Sequence, residues 1–295
     1  MASPLGKNLR YRAEWLGLKL LFTISRALPL QTASDFGGWL ARSVGPHLGV
    51  TRVAQRNLQM TFPEWSDEER LTVIDDVWDN IGRYATEFPH VAALTPQQFK
   101  ERVELVGEEH LNAACQGDKP AMLFSCHMAN WEMGVKTSYE AGHPLCVVYR
   151  PLNNPYVEEL VNSYRHRYHK HAIPKTTAGA RDLLSQLRDN QPVALLIDQK
   201  MNNGEPIPFF GHDAMTSATI ADMALKFDCP ILPAQVERIG REARFKVTVY
   251  PPVEYEQTGD KNSDAKAIMI QLHTIMEDWI RQRPGQWFWL HRRWG

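Results

Sequence analysis

From about residue 118 onward the chain alternates short apolar runs with helix-like patterns, and this alternation restricts the fold more than any single motif does. Strands are predicted over residues 121–126, 145–150, 193–198, 231–237 and 245–250, and helices over 130–141, 155–171, 178–189, 217–227 and 265–282. Strands separated by helices imply an α/β domain with parallel pairing. One pair departs from that rule: residues 231–238 and 244–250 are joined only by Ile239 to Ala243, which predicts a hairpin. The predicted fold is a mixed, mostly parallel central sheet flanked by helices. Asn154 before Pro155 supplies an N-cap and a first-turn proline, and Gly142 can close the preceding helix.

Residues 31–111 carry helical periodicity instead, with Trp39, Leu40 and Val44, then Val73, Val77, Ile81 and Tyr84, at helix spacings, and no strand is expected there. Ser66 and Glu69 have the spacing of a capping box. Between Trp15 and Leu30 the chain is apolar, but Lys19 and Arg26 interrupt it before ~18 clean apolar residues accumulate, so a spanning helix is not expected. Lys19 also sits badly inside a signal peptide. What remains is an amphipathic segment with Arg10, Arg12, Lys19 and Arg26 opposite the aliphatic side, suited to a bilayer interface or to packing on its own domain. The chain therefore divides into a helical, membrane-associating section, residues 1–117, and an α/β core, residues 118–295, packed as one unit.

Charge contributes little: a formal net charge of -1 gives no overall pull toward nucleic acid, and the short basic run around Arg165 has no nucleic-acid-binding module behind it. Cys115, Cys126, Cys146 and Cys229 are scattered without a CxxC pair, which fits a reducing compartment. GxSxG, P-loop and GxGxxG patterns are absent, removing the common sequence arguments for a serine hydrolase, an NTPase or a dinucleotide enzyme.

The chemistry is expected at His127 and Glu132, in CHMANWE. Spacing alone is weak, because 11 histidines and 34 acids in 295 residues yield roughly one such match by chance, and His273 with Asp278 is a second. That second pair is read as ordinary helix surface. His127 has the better context: it follows a predicted strand directly, at the carboxyl edge where α/β sheets open a crevice. A turn there lets Glu132 fold back and hold the imidazole as a general base, the alternative being a histidine hydrogen-bonded for structure. Cys126 points to the opposite strand face and is read as structural, and His166, His169 and His171, placed on one helix, spread around its axis too widely for zinc. No metal is expected.

CHMANWE, VYRPLNNP, LLIDQ followed by NNGEPIPFFG, and the terminal QWFWLHRRW together resemble the late acyltransferases of lipid A biosynthesis, the lauroyl/myristoyl transferase family. The resemblance spans most of the chain. It implies transfer of a fatty acyl group from a thioester, carried by acyl carrier protein or CoA and needing no further cofactor, to a hydroxyl of a lipid A precursor. His127 would be the base and Glu132 its orienter. Arg150, Arg165, Arg167 and Asp198 occupy matching positions and Asn130 lies within CHMANWE, so these are carried over as substrate-binding candidates. Arg165 would hold an oxyanion or donor phosphate, and Asp198 an arginine or the acceptor. The implied partners are acyl carrier protein, a membrane glycolipid and the membrane surface, at the cytoplasmic face of the inner membrane. An acyltransferase for another glycolipid, such as a phosphatidylinositol mannoside, and a non-catalytic lipid-binding homologue are the alternatives. The loop over residues 200–214 would line an acyl pocket or plug the core, and the tail from Trp287 to Trp294 has a mix of aromatics and cations suited to lipid headgroups or to an aromatic core strand.

Overall fold

A computed structural model describes residues 4–294. The N-terminal section builds α1 (Pro4–Ala27), α2 (Leu30–Val44), α3 (Thr51–Thr61), α4 (Asp67–Val91) and α5 (Pro96–Lys100). Then follow β1 (Val103–Val106), α6 (Glu108–Gln116), β2 (Met122–Ser125), α7 (Glu132–Glu140), β3 (Cys146–Tyr149), α8 (Pro155–Arg165), β4 (His171–Pro174), α9 (Thr177–Arg188) and β5 (Val193–Leu196). A hairpin of β6 (Glu205–Phe209) and β7 (His212–Thr216), α10 (Thr219–Phe227), β8 (Ile231–Arg238), β9 (Phe245–Val249) and α11 (Lys261–Gln282) complete the chain. The main sheet runs β1-β9-β8-β2-β5-β3-β4, parallel at every step except the β8–β9 hairpin. This is the mixed, mostly parallel α/β sheet that the alternation predicts. β2 is buried along nearly all its length, as a central parallel strand covered on both faces must be, while β5 alternates buried and half-buried residues.

The capping box at Ser66 and Glu69 forms, and Asn154 accepts from the N–H groups of Tyr156 and Val157 ahead of Pro155. Two expectations need correction. Residues 103–106 form a strand, because Val103 to Val106 add an edge beside β9 where a four-residue element carries too little pattern to be read alone. The helix predicted over 155–171 stops at Arg165, and His171 begins β4, so His166, His169 and His171 do not share a helix. Of the two roles open to residues 200–214 the core plug is the one that forms: Ile207, Phe209 and Phe210 are buried, with the two phenyl rings against Trp289 and Trp294.

Candidate active site

The sheet register assembles the site. Ser125 pairs with Leu196 across β2 and β5, so the residues two positions further on, His127 and Asp198, emerge side by side at the carboxyl edge. His127 Nδ1 lies 2.7 Å from Asp198 Oδ1, while Asp198 Oδ2 accepts the His127 backbone N–H at 2.9 Å and the Trp287 indole N–H at 2.8 Å. Burial would raise the Asp198 pKa, but attraction to and hydrogen bonding with His127, helped by His291, hold it well below the carboxylate range. An ionised Asp198 fixes the proton on Nδ1 and leaves Nε2 as the basic atom. Nε2 faces Gln199 Nε2 at 3.3 Å, a contact in which the amide donates. His127 is thus an oriented imidazole whose Nε2 lies at the edge of a cavity.

Glu132 is held elsewhere. Between strand and helix the chain turns through Ala129 at φ 49°, and that buried turn is pinned by Gln286 O on the Ala129 N–H and by Asn80 Nδ2 on the Ala129 carbonyl. The turn carries Glu132 to the first position of α7, facing α8, where Arg165 donates to Oε1 from Nε at 3.1 Å and from Nη2 at 2.5 Å and Tyr168 donates to Oε2 at 2.7 Å. Burial opposes ionisation, yet Arg165 keeps the Glu132 pKa below its usual value, and the same pairing raises that of Arg165 against its own desolvation. His169 sits nearby, its Nε2 4.0 Å from Glu132 Oε2, with neither ring nitrogen hydrogen-bonded; burial above all lowers its pKa to about 4.

An apolar cavity of about 620 Å³ begins at His127, Trp131 and Phe288. Its walls come from α7 and the sheet, through Gly134, Val135, Val147, Val236 and Val249, and from α1, α4 and α8, through Leu18, Phe22, Phe88 and Val161. A volume of this size with one reactive edge suits a flexible apolar ligand.

The sequence pattern described as Bacterial lipid A biosynthesis acyltransferase matches residues 2–295. The chain belongs to that family. Among similar proteins are a lipid A biosynthesis acyltransferase of Haemophilus influenzae, 22% identical over 95% of this chain and 87% of that protein, and the lipid A biosynthesis lauroyltransferase of Escherichia coli, 22% identical over 96% and 92%. A phosphatidylinositol mannoside acyltransferase of Mycolicibacterium smegmatis is 23% identical over 99% of this chain and 93% of its own.

In this acyltransferase the predicted residues separate into three groups. His127 and Asp198 meet directly, so the acid on the imidazole is Asp198, replacing the expected Glu132. Glu132, Arg165 and Asn130 belong to the frame: Asn130 is fully buried and donates to Glu87 Oε2 at 2.9 Å, and Glu87 is itself clasped by Arg238. Arg165, neutralised by Glu132, is not a free cation for an oxyanion or a phosphate. Arg150 is exposed at the end of β3 and lines the cavity, whereas Arg167 stacks over Tyr164 and does not. The tail is a further correction. Trp287, Trp289 and Arg293 are fully buried, and Trp287 and His291 contact Asp198, so these residues build the floor of the site and do not face lipid. His273 is buried as well, bonded to Pro208 O and facing Arg293, while Asp278 is exposed, so that pair is no surface pair. Sequence reasoning also missed Gln199, although it adjoins Asp198 in LLIDQ, and Lys175, which follows β4 as Arg150 follows β3.

Proposed function

We propose that the protein is an O-acyltransferase that moves a fatty acyl group from a thioester, carried by acyl carrier protein or CoA, to a hydroxyl of a lipid A precursor. The observation that carries this reading is the His127–Asp198 pair at the edge of an apolar cavity of about 620 Å³, in a chain of this family. His127 Nε2 removes the acceptor hydroxyl's proton as its oxygen attacks the thioester carbonyl, and Asp198 stabilises the imidazolium that forms. Gln199 and Arg150 border the place where negative charge builds on the carbonyl oxygen. The tetrahedral species collapses, the C–S bond breaks, and the imidazolium returns its proton to the departing thiolate. The acyl chain occupies the cavity under α7.

The same reading places the protein on the membrane that holds its acceptor, at the cytoplasmic face of the inner membrane. Phe22 of α1 packs into the domain, while Leu9, Leu16, Leu20 and Ile24 are exposed, as are Phe36 and Trp39 of α2. Among the described residues no helix is long and apolar enough to cross a membrane.

The test is acyl transfer by purified protein from acyl carrier protein thioester, with a panel of acceptors followed by mass spectrometry. An acylated lipid A precursor is expected. The Mycolicibacterium smegmatis relative favours a second reading, transfer to a phosphatidylinositol mannoside, which the same panel would reveal. A folded protein that acylates neither acceptor overturns both.

A further inference from the structure

A second cavity, of about 730 Å³, lies beyond Gln199, between the carboxyl ends of β3, β4 and β5 and the start of α9. Arg150, Lys175 and Gln199 line both this cavity and the apolar one, so the two meet beside His127. The chemistry of the second differs. Arg150, Lys175, Lys200 and Arg292 converge on it, and no aspartate or glutamate is among its lining residues. Among the described residues, Arg150, Lys175 and Arg292 form no ion pair with a carboxylate. Like charges gathered in one concave site repel, and the missing counter-charge is that of an anion.

The start of α9 adds to the same field. Thr176 caps it through the Gly179 N–H at 3.1 Å. Gly179 lets the helix press on the end of β4, because a Cβ there would come within 1.7 Å of the Pro174 carbonyl oxygen. First-turn N–H groups at the cavity wall favour an anion independently of the side chains.

We propose that this second cavity is a phosphate-binding subsite, occupied by the phosphate of a substrate whose reacting atom lies at His127. Two sources share that chemistry: the phosphodiester of a donor's pantetheine arm, and a sugar phosphate of the acceptor. The assignment of a substrate phosphate rests on the acyl-transfer reading; the anion site itself rests on Arg150, Lys175 and Arg292 and on the start of α9.

The experiment measures binding by calorimetry on the full chain in detergent, with 4′-phosphopantetheine and glucosamine 1-phosphate as probes, each compared with its unphosphorylated counterpart. At least one phosphorylated probe is expected to bind about tenfold or more tightly than its counterpart. That preference should vanish in Lys175→Ala/Arg292→Ala and persist in Arg292→Lys; both replaced side chains are exposed, and thermal melting verifies the fold. Preference for the pantetheine probe names the donor, preference for the sugar probe the acceptor, and preference on both means a subsite open to either. His127→Ala should bind the probes normally, so a failure of acyl transfer leaves this readout intact. Absence of any phosphate preference in the native protein, or an unchanged preference in the double variant, overturns the proposal.

Discussion

Asp198 holds His127 at two points, the ring Nδ1 at 2.7 Å and the backbone N–H at 2.9 Å, one from each carboxylate oxygen. The carboxylate therefore fixes the imidazole's tautomer and the strand end that presents it. A third donor, the Trp287 indole, ties the C-terminal tail into the same group.

Replacing Asp198 by Asn keeps size but can leave the amide donating to Nδ1, which moves the ring proton to Nε2 and removes the base. Turnover should fall by roughly 10²–10⁴, the scale seen when the acid of a comparable triad is neutralised. Steady-state kinetics beside circular dichroism checks it. Unchanged turnover would remove Asp198 from the mechanism.

Glu132 and Arg165 form a pair with side-chain exposures of 3% and 18%. Breaking a buried pair from one side strands the other charge and costs about 3–5 kcal/mol, less any relief from solvent reaching Arg165. Glu132→Ala should therefore lower stability as well as activity. Removing both partners should cost less than the sum of the single changes. Urea denaturation of the two single variants and the double variant measures the coupling; strict additivity would count against the pair as a frame.

The five strands predicted after residue 118 all form, and their order explains which parts of the site were readable. His127 could be placed at a strand end because the apolar run before it is local. That Asp198, at the end of another predicted strand, is its partner could not be read, since β2 and β5 adjoin only once β3 and β4 have been laid down on the far side of β5. Spacing favoured Glu132 because the turn at Ala129 is invisible without its positive φ. Trp287 to Trp294 looked amphipathic because each indole N–H and each guanidinium suggests water, yet inside the core Asp198 and the Pro284 carbonyl accept from the indoles of Trp287 and Trp289, and Met215 O and Thr216 accept from the two Nη atoms of Arg293. β4 was not predicted, its first residue His171 being read as the end of a helix, because its four residues end in Pro174, which carries no strand signal.

His273 makes acid stability testable. Its Nδ1–H donates to Pro208 O at 2.8 Å and its Nε2 faces an Arg293 Nη2 at 3.3 Å, so a second proton would oppose the guanidinium. Burial, then Arg293, lowers its pKa from 6.5 to about 4. Between those values the unfolded chain binds a proton that the folded chain does not, so lowering the pH across that window destabilises the fold, by at most about 3 kcal/mol from this group. His273→Gln removes the titration and should flatten that part of the stability curve. Equal slopes in the two proteins, by denaturant melts from pH 7 to 4.5, would refute this.

Gly134 and Val236 both line the apolar cavity and adjoin, and a Cβ added at Gly134 would lie 3.1 Å from Val236 Cγ2. A methyl group is tolerable, and Ala in a helix recovers up to ~1 kcal/mol of propensity. A leucine would intrude on the path of the acyl chain. Gly134→Leu should shift preference toward shorter acyl thioesters, lowering relative kcat/KM for the longest accepted donor by about tenfold, near 1.4 kcal/mol. Competition between donors of different length, read by mass spectrometry, is the measurement. An unchanged length profile would mean that the chain lies elsewhere.

Membrane attachment depends on a different surface. Leu16 and Leu20, one turn apart on α1, are 60% and 59% exposed. Fully burying an aliphatic side chain of this size is worth ~1.5–3 kcal/mol, so immersion of both to even half that extent moves a vesicle partition coefficient by about tenfold or more. Leu16→Glu/Leu20→Glu should lose that binding in vesicle flotation, because each change also adds a charge that anionic lipids repel. Leu18 and Phe22 of the same helix line the cavity but Leu16 and Leu20 do not, so activity on a short-chain, detergent-dispersed acceptor should persist while activity on vesicle-borne acceptor falls. Equal flotation of the variant and the native protein would assign membrane contact to a surface other than this face of α1.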